Sequence, residues 1–267
     1  MVNLQWNHFG AIPPVEQGAK ASAERFYLDL KETFPDFVAD FEQKFTAWQG
    51  KWFGHEAPRS SNADDRCMLP EYDPLLFLGP KTTPLVVFEL SKPENFMATT
   101  LYNHLETDKS AKVDPDDIVN YLTLIRHANL IVELNHERAQ RAKAWIEAWK
   151  AHCCAQQQQQ QSNSNSDSDM TTSGKEYDTL VEMGPGIIAH VMLEYSKDQT
   201  GVCGPWCKLM HQLVCEKPMM DGGIGGQGGV DVQKQYEMWK DWFEHMDYEE
   251  AAEGLKPSYM DNFGTWS

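Results

Sequence analysis

Three cysteines and one histidine lie four residues apart in the stretch VCGPWCKLMHQLVC, at Cys203, Cys207, His211 and Cys215. Thiolates and imidazoles bind zinc, and thiolates also exchange disulfides, so this stretch is the best chemical lead in the chain. If it forms a helix, Cys203 and Cys215 lie about 18 Å apart along its axis. Zinc ligands all lie ~2.0–2.3 Å from one ion, so a straight helix supplies only one adjacent pair. That pair would be Cys207 with His211 or His211 with Cys215, and further ligands would come from elsewhere.

The same stretch is similar to a redox motif, because Pro205 could begin a helix whose dipole lowers the pKa of Cys203. Three residues separate Cys203 from Cys207, however, where a thioredoxin-type pair has two, and the preceding residues 194–200 are too polar for a buried strand. Cysteine is often buried as a small apolar side chain. We therefore favour a helix that buries its sulfur atoms, and we expect no resident metal or other cofactor.

Other short motifs lack the context that their chemistry needs. Glu133 and His136 have the E-x-x-H spacing of di-iron helical bundles, but the chain has no second copy. We interpret them as a surface pair, and Asp241 with His245 as a second pair within a helix. The glycine-rich residues 222–229 match G-x-G-x-x-G without a preceding strand, which indicates a loop. No hydrolase, P-loop, zinc-protease or kinase motif is present, so the sequence indicates no catalytic residue.

Aromatic side chains are concentrated near the C-terminus, where they could line a pocket or a partner surface. The candidates are Trp206, Tyr236, Trp239, Trp242 and Phe243. Aromatic stripes at helical spacing also form ordinary cores, and both alternatives stay open at this point.

Composition narrows the possible classes of function. The chain has 267 residues and a formal charge of -17, which argues against nucleic acids and anionic membrane surfaces and could steer a basic protein partner. Apolar residues make up 41% of the chain, enough for a folded core. No apolar run reaches the roughly 18 residues of a membrane helix. The N-terminal residues do not resemble a signal peptide, and six cysteines then suggest reduced thiols in the cytoplasm, with the nucleus as an alternative.

Hydrophobic periodicity predicts an all-α fold, built as an irregular helical bundle or helical array. The clearest stripe consists of Phe37, Phe41, Phe45 and Trp48, after a proline that could begin the helix. Residues 56–83 are expected to form a long loop around a short apolar run, and 85–90 fit either a strand or a helix. The other expected helices cover 19–34, 93–105, 115–149 as one helix or two, 180–195 with a break near Gly184, 205–215 and 230–246.

A low-complexity tract, residues 156–174, divides the chain into two parts. Its Gln, Ser, Asn and Asp side chains cannot offset the entropy of ordering, so we expect a disordered insertion at about 155–175. We favour one domain over residues 1–267, because the part after the tract looks too short to close its own core. The alternative is two helical domains, 1–154 and 175–267.

Several short stretches also carry a family resemblance. They are LVEMGPGIIAHVMLEY, GPWCKLMHQLV and YEMWKDWFEHM, with FLGPKTTPLVVF and ENFMATTLYNHLE upstream. From about residue 75 to its end, the chain resembles an all-helical family of unknown function from filamentous fungi. The residues that carry most of the resemblance are Gly204, Pro205, Trp206, Trp239, Trp242 and Phe243. The resemblance implies an all-α fold and supplies neither a catalytic residue nor an activity.

Three functional hypotheses follow. The first is a non-catalytic protein that binds a protein partner, with a basic surface to match the acidic chain, or a small apolar ligand. The second is an enzyme or accessory factor of a specialised metabolic pathway, with a pocket lined by aromatic and convergent polar groups. The third is a thiol redox or metal-binding protein that uses Cys203, Cys207, His211 and Cys215.

Overall fold

The computed structural model describes residues 14–54, 67–114, 121–162, 174–198, 205–215 and 232–248, without the side chains of residues 121 and 156–162. Within these ranges the chain forms ten α-helices and no strand, which confirms the predicted all-α class. The α-helices are α1 (Gln17–Thr33), α2 (Pro35–Trp52), α3 (Asp73–Phe77), α4 (Thr83–Leu90), α5 (Ala98–Leu105), α6 (Tyr121–Ser162), α7 (Lys175–Glu182), α8 (Ile188–Lys197), α9 (Trp206–Cys215) and α10 (Val232–His245).

The break between α1 and α2 follows directly from the sequence. Pro35 lacks an N–H and its ring clashes with a preceding turn, so α1 ends at Thr33 and Pro35 becomes the first residue of α2. Between them Phe34 leaves the helical conformation, with φ -132° and ψ 65°. The aromatic stripe expected on α2 is confirmed as core, because all four of its side chains are buried.

Helix α6 is one continuous helix rather than two, and it is the longest element of the described structure. It runs 42 residues, through 156–162, so the low-complexity tract begins inside a helix. Glutamine is a good helix former, and a helix that is already nucleated extends at little further cost. The expected start after Pro115 and the rest of the tract, 163–173, lie outside the described residues.

Two shorter segments resolve questions left by the sequence. Residues 85–90 belong to α4 and are not a strand, and the loop expected over 56–83 contains the short helix α3. In α4, Pro84 occupies one of the first helical positions, where its missing N–H leaves no bond unmade. The break expected near Gly184 is confirmed between α7 and α8.

Helices on both sides of the low-complexity tract pack against each other. Helix α1 contacts α8, and α2 contacts α10. The rings of Phe34 and Phe37 lie 4.8 and 4.4 Å from the ring of Phe243. Buried side chains from the two parts of the chain therefore belong to one hydrophobic core cluster.

The chain contains an internal repeat that the sequence analysis overlooked. Residues 71–92 read EYDPLLFLGPKTTPLVVFELSK, and residues 176–197 read EYDTLVEMGPGIIAHVMLEYSK. Both contain E-Y-D, L-x-x-x-G-P and V-x-x-E-x-S-K at the same positions. In the structure both segments form a short helix, a Gly-Pro turn, one turn of 3₁₀-helix and a longer helix, α3 with α4 and α7 with α8.

The two segments also make the same contacts. Glu89 and Lys92 form an ion pair of 2.8 Å in α4, as Glu194 and Lys197 do at 2.6 Å in α8. Corresponding tyrosines pack against corresponding tryptophans with tilted rings, Tyr72 on Trp48 and Tyr177 on Trp149, with ring centroids 5.2 and 5.9 Å apart. Their hydroxyls bond to His104 on α5 and to Gln212 on α9. Helices α7 to α9 thus repeat the arrangement of α3 to α5.

The correspondence extends back into the preceding helices. Four buried positions of α2 match four buried positions in the C-terminal half of α6. In order, the residues of α2 are Phe41, Phe45, Trp48 and Trp52, and those of α6 are Ala142, Ile146, Trp149 and Cys153. We call α2–α5 the first repeat and the C-terminal half of α6 with α7–α9 the second repeat.

Candidate binding groove

A groove of about 450 Å³ lies between α1, the middle of α6, and α8. We call it the α1/α6/α8 groove. It is lined by Gly18, Ala21, Ser22, Arg25, Phe26 and Asp29 of α1, by His136, Ala139, Gln140, Lys143, Ile146 and Glu147 of α6, and by His190, Leu193, Glu194 and Lys197 of α8. The sequence analysis did not propose this site, because its residues are spread over three distant helices.

The floor of the groove is apolar and its rim is charged. Ile146 and Leu193 belong to the core, and the ring of Phe26 lies 4.1 Å from the ring of His190. Three cations and three carboxylates stand around this floor: Arg25, Lys143, Lys197, Asp29, Glu147 and Glu194. Both signs of charge beside an apolar floor are suited to an amphipathic ligand.

Two histidines line the groove with different surroundings. Burial lowers the pKa of His190 to about 4, with a smaller contribution from the Arg138 guanidinium, so the imidazole is neutral at pH 7. His136 places Nε2 2.8 Å from the Gln140 side-chain amide nitrogen. The Nδ1 atom of His136 is buried without a hydrogen-bond partner among the described residues. The groove therefore holds one imidazole that cannot readily take a proton and one whose Nδ1 atom has no hydrogen-bond partner among the described residues.

Arg138 belongs to a buried polar network beside the groove. Its Nη1 atom lies 2.6 Å from Oε2 of Glu106, which also accepts a hydrogen bond of 2.9 Å from the Tyr102 hydroxyl. The other carboxylate oxygen, Oε1, accepts from the backbone N–H of Asp108 at 2.9 Å. Because the charge of Glu106 is fully paired, the network fixes the end of α5 against α6.

Glu133 and His136, the two residues of the E-x-x-H motif, have different surroundings. The Glu133 side chain accepts a bond of 3.3 Å from the backbone N–H of Glu16, next to the start of α1, while His136 lines the groove. The pair expected between Asp241 and His245 is confirmed, with 3.0 Å between Oδ1 and Nδ1. The glycine-rich residues 222–229 lie outside the described residues.

The cysteine–histidine stretch forms helix α9, as expected, from Trp206 onwards. Cys207 is buried, and the indole N–H of Trp239 donates to its sulfur at 3.3 Å. Burial raises the pKa of the Cys207 thiol, which stays protonated at neutral pH. His211 and Cys215 are half-buried on the same helix, and Cys203 lies outside the described residues.

Within the part of the chain that the structure describes, no three His, Cys, Asp or Glu side chains form a group that could hold a metal ion. The surroundings of Cys207 are those of a core side chain rather than of a reactive thiolate or a zinc ligand.

The five aromatic candidates near the C-terminus also lie in the core. All are buried: Trp206, Tyr236, Trp239, Trp242 and Phe243. The Trp206 ring meets the Trp149 ring edge-on at 5.0 Å, and Trp239 meets Trp242 edge-on at 5.4 Å. Burial of these rings against one another explains the aromatic stripe as packing, and the groove lies on a different face, formed by α1, α6 and α8.

The sequence analysis also missed Lys81, whose side chain is only 1% exposed. Its ammonium donates to the carbonyl oxygens of Trp242, Phe243 and Met246 at 3.1, 2.9 and 2.6 Å. These carbonyls lie at the C-terminal end of α10, where helical carbonyls lack partners and the dipole favours a cation. Lys81 therefore joins the Gly-Pro turn of the first repeat to α10.

No protein-family model, curated protein or solved structure matches this chain. The resemblance to a fungal helical family therefore stays a prediction. Among the described helices, none has both the length and the apolar character that crossing a membrane requires.

Proposed function

We propose that this protein is a non-catalytic binding module that holds a segment of a partner protein in the α1/α6/α8 groove. The observation that carries the proposal is the groove itself, whose apolar floor lies open between charged rims. A volume of about 450 Å³ falls in the range of sites that bury a compact ligand, ~300–1,000 Å³. It is large enough for the side chains on one face of a peptide.

A protein segment fits the lining better than a small apolar ligand does. A purely apolar ligand would contact the floor and make no polar contact with the charged rim, whereas a peptide presents apolar and polar groups together. The formal charge of -17 would also steer a partner with a basic surface towards the protein.

An enzyme is the second candidate function, because two histidines line one groove. General acid–base catalysis works best when the pKa of the group lies near the working pH. The pKa of His190, about 4, makes it a weak base at pH 7. This favours binding over proton transfer at the groove.

We also propose that the protein resides in a reducing compartment such as the cytoplasm. The support is that Cys154 and Cys207 carry free thiols, and unpaired thiols persist where glutathione and thioredoxin keep them reduced.

The binding function can be tested with peptides selected from a random displayed library against the full-length protein. The decisive variant is Ala139→Trp, which fills the groove with an indole. Its matched control is Ala144→Trp, the same substitution on an exposed position of the same helix. Circular dichroism would establish that both variants keep the helical fold.

We expect selected peptides to lose binding to the Ala139→Trp protein and to keep it with Ala144→Trp. Peptides that bind both variants equally, or a selection that yields no binders, would contradict the proposal.

A further inference from the structure

The two repeats differ in what covers them. In the first repeat, helix α1 lies over α2 and α4: the Tyr27 ring stacks on the Phe88 ring, with centroids 4.0 Å apart. The Tyr27 hydroxyl donates to Glu42 of α2, and the ammonium of Lys31, one turn further along α1, lies 3.0 Å from the same carboxylate. An aromatic ring and a cation four residues apart thus cover this surface.

The corresponding surface of the second repeat lines the groove. By the alignment of the repeats, Lys143 stands in the position of Glu42, and Leu193 in the position of Phe88. Both residues line the α1/α6/α8 groove. The groove therefore corresponds to the surface that Tyr27 and Lys31 cover in the first repeat.

The reason why nothing from the same repeat covers this surface is the straightness of α6. Pro35 separates α1 from α2, so that α1 lies back against α2 and Tyr27 contacts Glu42. The residue of α6 in the position of Pro35 is His136, and the helix continues through it. Ala128, in the position of Tyr27, consequently lies about 22 Å along the helix axis from Lys143.

We propose that the groove binds an amphipathic helix of a partner protein, which places an aromatic ring on Leu193 and, four residues later, a carboxylate opposite Lys143. This inference rests on the proposed function and specifies its ligand. The bound helix would take the position relative to α6 and α8 that α1 takes relative to α2 and α4.

The charge at position 143 selects the kind of helix. Where the first repeat has Glu42 to pair with Lys31, the second repeat has a cation, so the partner must supply an acid. Helix α1 of a second copy of this protein is disfavoured, because it would bring Lys31 against Lys143. The exposed ion pair of Lys143 with Glu147, 4.0 Å long, is weak enough to exchange for a new partner.

The probe for this test is a peptide with the sequence of residues 21–34, held helical by a side-chain lactam on the face away from Tyr27. Three forms are compared: the natural sequence, Lys31→Glu, and Lys31→Glu with Tyr27→Ala. Binding of each fluorescein-labelled form to the full-length protein is followed by fluorescence anisotropy, with the wild type, Lys143→Glu, Ala139→Trp and Ala144→Trp.

We expect the Lys31→Glu peptide to bind the wild type about threefold more tightly than the natural peptide, the size of an exposed ion pair. The Lys143→Glu protein should reverse that preference. Loss of the Tyr27 ring should weaken binding about tenfold. Ala139→Trp should abolish binding, and Ala144→Trp should preserve it.

The inference would be overturned if the Lys31→Glu peptide bound equally well with and without the Tyr27→Ala substitution. It would also be overturned if the Lys143→Glu protein still preferred the Lys31→Glu peptide to the natural peptide. If library peptides still lost binding to the Ala139→Trp protein, the proposed function would stand. Only the inference that the ligand is an amphipathic helix with a carboxylate opposite Lys143 would be wrong. If neither library peptides nor probes responded to Ala139→Trp, both proposals would fail.

Discussion

At the scale of single residues, Lys81 is a buried lysine, with a side chain only 1% exposed. Burial lowers the pKa of its ammonium to about 7, although the carboxylates of Asp247 and Asp40 partly oppose this shift. Three carbonyl oxygens at and just beyond the C-terminal end of α10 contact the ammonium, and the centroid of the Trp242 ring lies 4.9 Å from Nζ. Protonation of one side chain is thereby linked to the attachment of a helix.

The stability of the protein should depend on pH through Lys81. A free lysine has a pKa near 10.5, so between pH 7 and 10.5 the unfolded chain holds a proton that the folded chain lacks. Stability should therefore rise with pH across this window, by at most about 1.4 kcal/mol per pH unit. Urea unfolding of wild type and Lys81→Met at pH 6.5, 8 and 9.5 measures how the unfolding free energy of each protein changes with pH. Parallel pH profiles for the two proteins would contradict the assignment.

At the scale of elements, the two Gly-Pro turns determine how each repeat folds. Gly79 and Gly184 have nearly the same conformation, with φ 73° and 70° and ψ -170° and -169°. Only glycine adopts this region readily, because a Cβ atom would clash with the backbone. The proline that follows begins a turn of 3₁₀-helix in each case, Pro80–Thr82 and Pro185–Ile187, which leads into α4 and α8.

Alanine at these two glycines should destabilise the protein to different degrees. Gly184→Ala should cost about 1–3 kcal/mol of unfolding free energy from backbone strain alone. Its new methyl group would meet only Thr107, at an ordinary 3.6 Å. Gly79→Ala should cost more, because its methyl group would also overlap the side chain of Tyr248. Urea unfolding of both variants gives the comparison. Equal losses of unfolding free energy would show that Tyr248 does not contact a methyl group at position 79.

At the scale of the whole molecule, the repeats are joined by helices that cross between them. Helix α1 packs on α4 of the first repeat and on α8 of the second, and α10 packs on α2 and on α9. The two Gly-Pro turns also contact each other through their 3₁₀-helices. These shared contacts favour a single cooperative unit over the alternative of two helical domains.

A destabilising change in one repeat should therefore loosen both. We expect Gly184→Ala to accelerate hydrogen exchange in α2 and α4 as well as in α7 and α8, measured by mass spectrometry of peptic peptides in mild urea. Acceleration confined to α7 and α8 would instead support two separately folding domains, with a boundary near the low-complexity tract.

The amino-acid sequence alone determined the fold class and most of the helices. Spacing of apolar residues and the placement of Pro35 act within one or two turns of chain, so the break before α2 and the buried stripe after it could be predicted. The sequence also contains the repeated G-P turns and E-x-S-K ends. They are a signal of duplication that the sequence analysis overlooked.

Only the tertiary structure decided where the groove lies and which residues line it. Lys143 and Leu193 are fifty positions apart, and neither is a defining position of a sequence motif. The surroundings of Lys81 depend on carbonyl groups more than 160 residues away. Such contacts are made by the packing of whole helices, so no local pattern predicts them. The physical reason is that helix formation is a local property of the chain, whereas an open groove depends on which helices pack together.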